Sequence, residues 1–391
     1  MTPRHKTRPI KVGQLAVGGD NPVWVQSMTT TDPSDLEATM PQVQRLEEAG
    51  CELIRTSVLN EKQAAGLGKL KALMKVPLIA DIHFNWRLAF DAIEQGVDKI
   101  RINPGNIGKD EKFLEVVRAA KANGVPMRIG VNSGSLEKRV LEKYGYPTPE
   151  GFVESALRYI DMCDQLGYDQ IIVSLKSSDV RVAVEAYRLF GEKSDFPTHI
   201  GITEAGDPRY GSIKSAAGLG SILLAGVGNT IRVSLTGDPV VEIPVAFDIL
   251  KATGVRITSP EIVACPTCGR IQIEMEPIVK YLEERMKGVK TPIRVSILGC
   301  VVNGPGEAAE SDIGLAGGNG QAVIYRKGKI VRRVRQEEML GAVMAEIESY
   351  LADQESSGVG ATAPLHPLPL GEGRGEGVIS PGITKSDAAR P

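Results

Sequence analysis

A chain of 391 residues has room for two or three domains, and its 42% hydrophobic and 24% charged residues are ordinary for a soluble protein. With 46 Lys and Arg against 48 Asp and Glu, the formal charge of −2 excludes the polybasic signature of a nucleic-acid binder, so any anion site must come from local placement of cations. The absence of a run of about 18 apolar residues excludes a spanning helix, the basic stretch Met1–Lys11 lacks the apolar segment of a secretory signal, and five cysteines in such a chain favour metal binding in a reducing, cytoplasmic setting over disulfides.

The first 20 residues read as an irregular or hairpin-like lead-in. Val23–Met28 then has strand character and precedes a helix ending at Gly50. Pro41 is awkward in that helix and is accommodated by making Thr39 the cap, so that the proline falls in the first turn. Cys51–Val58, Val76–His83, Asp98–Asn103, Pro126–Asn132, Gln170–Lys176, Thr198–Glu204 and Thr230–Leu235 read as further strands. Between them lie an Ala/Leu/Lys-rich helix, helices at 86–95, 110–123, 179–190, 212–226 and 239–253, and a helical section to Gly167 broken at 145–151. Eight apolar strands, each followed by a helix, imply parallel pairing and have the size of a (β/α)8 barrel. No strand carries the G-x-G-x-x-G turn of a doubly wound dinucleotide fold.

After about residue 255 the rhythm changes. Short β-like runs at Ile262–Ala264, Ile293–Leu298, Ile313–Ala316 and Ala322–Tyr325, with helices at 274–287 and 337–352, indicate a smaller α+β domain. The expected organisation is 1–254 for lead-in and substrate-binding barrel, 255–353 for the second domain and 354–391 for a Gly/Ser/Pro/Ala-rich disordered tail.

Polar groups gather at the C-terminal ends of the barrel strands, where such folds place their chemistry. They are Arg55, Asp81 with His83, Arg101 with Asn103, Arg128 with Asn132, Lys176, Glu204, and Arg232 with Ser234. One arginine at a strand end is ordinarily a salt bridge. Cations on five strands converging on one cavity point to an anion with several charges, and guanidinium groups suit a diphosphate. His83 is open to a structural or a functional reading. Glu204 is an acid candidate beside the cations.

Three of the five cysteines lie in the second domain. Cys265-Pro266-Thr267-Cys268 places two sulfurs on one turn, and Gly299-Cys300-Val301-Val302-Asn303-Gly304-Pro305-Gly306-Glu307 begins 31 residues after Cys268. Three thiolates suit zinc or an iron–sulfur cluster. Zinc needs a fourth ligand, and the histidines at 5, 83, 199 and 366 all lie outside this domain. A [4Fe–4S] cluster held by three cysteines leaves one iron for another ligand, a role open to Glu307. Cys51 and Cys163 read as buried inert thiols, and the glycines at 218–220 and 226–228 as helix ends and turns.

Together with Arg55-Thr56-Ser57-Val58, Ala80-Asp81-Ile82-His83-Phe84 and Lys99-Ile100-Arg101-Ile102-Asn103-Pro104-Gly105-Asn106-Ile107-Gly108, these motifs make the chain resemble the bacterial, flavodoxin-type 4-hydroxy-3-methylbut-2-en-1-yl diphosphate synthases over about residues 4–353. The resemblance implies the two-domain form, and a reaction of the non-mevalonate isoprenoid pathway. There, 2-C-methyl-D-erythritol 2,4-cyclodiphosphate is reductively opened and dehydrated to (E)-4-hydroxy-3-methylbut-2-enyl diphosphate. It implies a [4Fe–4S] cluster on Cys265, Cys268, Cys300 and Glu307. Substrate contacts fall on Arg55, Asp81, His83, Arg101, Asn103, Arg128, Asn132, Lys176, Glu204, Arg232 and Ser234, with Asn303 on the cluster side. It also implies flavodoxin or ferredoxin as electron donor, and a homodimer in which the second domain of one subunit caps the barrel of the other. Glu204 is then the expected proton donor with His83 as its rival, and Glu307 the ligand that yields to substrate. The alternatives are a redox-inert, anion-binding barrel synthase with a zinc-stabilised appendage, and a non-enzymatic iron–sulfur carrier.

Overall fold

The computed structural model describes residues 2–356. The tail expected from residue 354 lies outside them from residue 357 onward, while Gln354–Ser356 continue the helix Met339–Ser356.

The lead-in is a hairpin of β1 (Ile10–Val12) and β2 (Leu15–Val17), turned at Gly13 with φ +57°. Eight parallel strands follow: β3 (Trp24–Met28), β4 (Leu53–Val58), β5 (Leu78–Ile82), β6 (Lys99–Ile102), β7 (Met127–Asn132), β8 (Ile171–Lys176), β9 (His199–Ile200) and β10 (Thr230–Ile231). Neighbours pair in the order β8-β7-β6-β5-β4-β3-β10-β9. The bridge from Val173 to Thr198 joins the two ends, with Val173 N donating to the Pro197 carbonyl at 2.9 Å, and closes the barrel.

Alternation along each strand sorts the side chains. Ile54, Ile100, Ile129 and Val173 face the surrounding helices in one continuous core, so their neighbours Arg55, Lys99, Arg101 and Arg128 face the barrel interior. The hairpin stops the N-terminal end: Ile10, Val12 and Val17 pack on Leu53, Ile79 and Ile172, and Trp24 Nε1 donates to the Ala16 carbonyl at 2.8 Å.

The first barrel helix corrects an expectation. It spans Leu36–Glu48, and its cap is Asp35, whose carboxylate accepts from Ala38 N; Thr39 N already bonds to the Asp35 carbonyl inside the helix. Pro41 sits in the second turn, on an exposed position where water can take the carbonyl left without a helical donor.

The second domain is a five-stranded sheet of β11 (Glu261–Ala264), β12 (Arg294–Leu298), β13 (Ile313–Gly318), β14 (Gln321–Arg326) and β15 (Lys329–Arg335), parallel across the first three strands and antiparallel across the last three. Its own core includes Leu282, Val295, Ile297, Leu315, Ile324, Val343 and Ile347. Two elements here go beyond the expected ones: β15, and a short helix, Gly304–Ala309, inside the Gly/Pro-rich stretch.

The connection between the domains starts from a fixed point on the barrel. Arg256 donates to the Val23 carbonyl at 3.0 Å and pairs with Glu52 at 2.7 Å. Val23 and Glu52 immediately precede β3 and β4, so the chain leaves the barrel at its stopped end, opposite the mouth.

Candidate functional site

The barrel mouth gathers most of the residues expected there around one carboxylate. Asp81 Oδ1 accepts from Arg101 Nη1 at 3.0 Å, and its Oδ2 lies 3.4 Å from Arg55 Nε and 3.9 Å from His83 Nε2. Burial alone would raise the Asp81 carboxyl, but Arg101 and Arg55, ahead of His83 and Arg128, hold it well below the usual range. Asn132 turns its amide oxygen to Arg101 Nη2 at 3.2 Å. Arg232 Nε lies 3.6 Å from Glu242 Oε2, a carboxylate steadied by Ser27 Oγ at 2.9 Å and by Leu235 N at 3.0 Å. Two interior glycines make room for cations. A Cβ at Gly130 would stand 2.7 Å from Arg101 Nε, and one at Gly201 would stand 2.8 Å from Lys176 Nζ.

These carboxylates do not balance the cations. Arg55, Arg101, Arg128, Lys176 and Lys99 are all buried, and Arg128 Nε and Nη1, Arg101 Nε and Lys99 Nζ have no hydrogen-bond partner. Burial, and then Arg128, Arg55, Arg232 and Arg101, push the Lys176 ammonium well below the usual lysine value. Burial brings Arg55 down to about 9, with Asp81 opposing Arg232 and Arg101. A cavity that holds its own cations this unfavourably is completed by an anion.

Beneath the mouth lies a polar layer of which the sequence-based site held only Arg128. It comprises Gln26, Lys99, Arg128, Ser174 and His199, each with a side-chain nitrogen or oxygen that is buried and unpartnered. His199 Nδ1 meets Thr230 Oγ1 at 2.8 Å, which leaves Nε2 as the free atom. Burial pushes Lys99 well below the usual lysine value, reinforced by Arg128 and Arg55. The signal was available: Lys99 stands two residues before Arg101 on one strand and so shares its face.

Three expected residues lie just beyond the strand ends. Asn103 caps the short helix Pro104–Ile107, accepting from Gly105 N at 3.2 Å and donating to Ser135 Oγ at 2.6 Å. Ser234 stands half-buried beyond the end of β10. Glu204 is exposed on the loop after β9, with φ +52°, a left-handed conformation uncommon outside glycine.

The thiols lie on the second domain. Cys265 Sγ accepts from Gly299 N at 3.3 Å. Cys268 is exposed, and hydrogen bonds from the Arg270 backbone and side chain pull its thiol below the usual value. Backbone N–H groups of Asn303 and Val302, then Arg270, do the same for Cys300. Cys268, then Cys300 and last Cys265, raise Arg270 above the usual arginine value, so the guanidinium feels all three thiols. Among the described residues no three His, Cys, Asp or Glu side chains converge on one point as a single ion demands. Three sulfur donors on loops joined by the Gly299-to-Cys265 hydrogen bond are the soft ligand chemistry that an iron–sulfur cluster takes. Glu307, in the first turn of the Gly304–Ala309 helix, and Asn303, its cap, are exposed beside them. All five cysteines are free, and burial raises the Cys51 thiol to about 12.

A closed (β/α)8 barrel with a cation-lined mouth, joined to a thiol-bearing second domain, defines a barrel enzyme for an anionic substrate with a redox-capable appendage. Residues 7–247 match the family model for the GcpE TIM-barrel domain and residues 261–349 that for the GcpE protein C-terminal domain. The chain is 54% identical over 356 residues to the 4-hydroxy-3-methylbut-2-en-1-yl diphosphate synthase (flavodoxin) of Geobacillus thermodenitrificans, covering 90% of this chain and 95% of that one. It is 53% identical over 348 residues to the Bacillus subtilis protein of the same name, covering 89% and 92%. The chain therefore belongs to the GcpE family of 4-hydroxy-3-methylbut-2-en-1-yl diphosphate synthases. Among solved structures, the Yersinia pestis dihydropteroate synthase aligns with 64% of this chain and 98% of its own at a TM-score of 0.47 and 14% identity, a likeness from which no chemistry follows.

Proposed function

We infer that this protein opens and dehydrates 2-C-methyl-D-erythritol 2,4-cyclodiphosphate to (E)-4-hydroxy-3-methylbut-2-enyl diphosphate, the activity its relatives are named for. One observation supports it above the rest: a buried barrel mouth carrying Arg55, Arg101, Arg128, Lys176 and Arg232 with too few carboxylates to balance them. The family favours this reading over the zinc-stabilised synthase.

Cys265, Cys268, Cys300 and Glu307 would hold a [4Fe–4S] cluster, which when bound supplies the two electrons one at a time from flavodoxin or ferredoxin. The arginines and Lys176 bind the diphosphate in a dry cavity, where each contact is stronger than in water. Asp81 holds Arg55 and Arg101 in place, and Gly130 and Gly201 leave the space those contacts require. Cleavage of a ring C–O bond turns the cyclic diphosphate diester into a diphosphate monoester and adds negative charge, which the unpartnered N–H donors of Arg128 can stabilise. The second oxygen leaves as water, and Glu204 supplies its proton, with His83 beside Asp81 as the rival. Glu204→Gln should leave substrate binding intact and lower turnover at least about 100-fold; full turnover would assign the proton elsewhere.

Arg256 anchors the linker at the stopped end of the barrel, so the thiol-bearing domain starts from the end opposite its own chain's mouth. A homodimer in which each second domain caps the partner's mouth brings mouth and thiols together. No helix among the described residues is long and apolar enough to cross a membrane, and free thiols suit a reducing cytoplasm. The deciding experiment is reductant-dependent consumption of the cyclodiphosphate by anaerobically purified protein, with formation of the linear diphosphate. A brown protein that consumes none of it would be a cluster carrier instead.

A further inference from the structure

Six of the ten residues from Arg326 to Arg335 are Lys or Arg and none is acidic, in a chain whose formal charge is −2. They occupy the end of β14, the following turn and β15, the outermost strand of the sheet. Every position of β15 is exposed except Val334. Glu346 and Asp353 engage Arg326, and Glu346 reaches Arg332. Among the described residues, Lys327, Lys329, Arg333 and Arg335 have no carboxylate within ion-pair distance of their side chains. Ile330 and Val331, 54% and 45% exposed, lie between these cations.

A single lysine is enough to blunt a sheet edge against stray pairing. This edge has more: an apolar centre with a basic rim, the anatomy of a protein interface. It is also placed with respect to the thiols. Arg333 pairs in register with Val323, and Val323 packs against the cluster of Leu298, Ala308, Ala316 and Tyr325, as Cys265 does. Arg333 and Arg335 therefore share a sheet face with the cysteine-bearing loops. Three inter-strand spacings separate β15 from β12, whose end leads to Cys300, a distance of about 14 Å.

We propose that the β14–β15 edge, Lys327 to Arg335, is the docking surface for a small acidic electron-transfer protein, which delivers electrons along the thiol-bearing face of the sheet. The assignment rests on the proposed reductive function.

The test uses the anaerobically purified holoenzyme and a bacterial flavodoxin as probe. Binding is measured by titration calorimetry at low and physiological salt, and turnover is driven either by reduced flavodoxin or by dithionite with a viologen mediator. The double variant Lys329→Glu/Arg333→Glu should weaken flavodoxin binding at least about 10-fold at low salt and flatten its salt dependence. It should lower kcat/KM for flavodoxin in parallel while dithionite-driven turnover stays at the wild-type level. The control Lys193→Glu, exposed on an outer barrel helix, should bind as wild type, and Lys329→Arg/Arg333→Lys should rescue binding. Unchanged affinity and salt dependence in the charge-reversed variant would overturn the docking surface. Wild-type protein that binds flavodoxin through this edge but consumes no cyclodiphosphate with dithionite would uphold the surface and overturn the proposed reaction.

Discussion

The barrel mouth and the thiol loops are built in opposite ways. At the mouth the functional side chains are buried, fixed by a shared carboxylate and given room by two glycines. Its charge imbalance is maintained by the packing of a whole barrel around it. The thiol loops are more open, with Cys268 exposed, Cys265 half-buried and Cys300 buried; backbone hydrogen bonds hold them, and Asn303 and Glu307 are exposed beside them. The mouth is organised before anything binds.

The sharpest way to break this comparison is to damage each side separately. Cys300→Ser should abolish turnover to the detection limit, yet leave the thermal midpoint of the barrel and the binding of pyrophosphate at wild-type levels. Loss of pyrophosphate binding in that variant would show the two regions to be one structural unit. Asp81→Asn should do the reverse and destabilise the barrel itself. It removes the countercharge of Arg55 and Arg101 inside a buried site, at a cost of about 3–5 kcal/mol in urea unfolding. Because Arg101 and Arg55 depress the Asp81 carboxyl, its contribution in the wild type is complete above the ordinary aspartate pKa and is lost as pH falls below it. The Asn variant should lack that part of the acid profile.

A subtler change enters through the glycines. Gly130→Ala places a methyl group against the Arg101 guanidinium and should cost about 1–3 kcal/mol of stability while raising KM for the cyclodiphosphate about 10-fold. A normal KM would show that Arg101 can move freely. The smallest effect is expected at Lys99. Burial holds its ammonium well below the usual lysine value, so between the folded and unfolded pKa the unfolded chain binds more protons and stability rises with pH. Lys99→Met should flatten that rise and stabilise the ligand-free protein slightly, as chemical denaturation at several pH values would show. A profile unchanged by the substitution would mean that Lys99 stays charged inside the barrel.

The barrel was legible because its periodicity is strong: eight apolar runs, each followed by a helix, admit few topologies. The strand-end cations were legible for the same reason, since a buried strand ordinarily excludes arginine. Lys99 and His199 escaped because each opens its strand, where a polar residue usually marks the solvent end. Only the inward alternation within a closed barrel buries them. The strand β15 escaped because its cations hide the β pattern, which is how an edge strand is expected to look. The Asp35 cap was displaced in the sequence reading by Pro41, whose place in the second turn is tolerated because that side of the helix is exposed. What no single-chain pattern could reveal is where the linker leaves the barrel: the Arg256 anchor places it at the stopped end, opposite the mouth.

The account therefore turns on whether one active site is made by two chains. Co-expression of an Arg101→Met chain with a Cys300→Ser chain, each inactive alone, tests this directly. In the mixed dimer the intact mouth of one chain faces the intact thiols of the other, and random pairing should restore about a quarter of wild-type cyclodiphosphate turnover. No recovery in mixed dimers that have been isolated as such would contradict the account and place both halves of the site within a single chain.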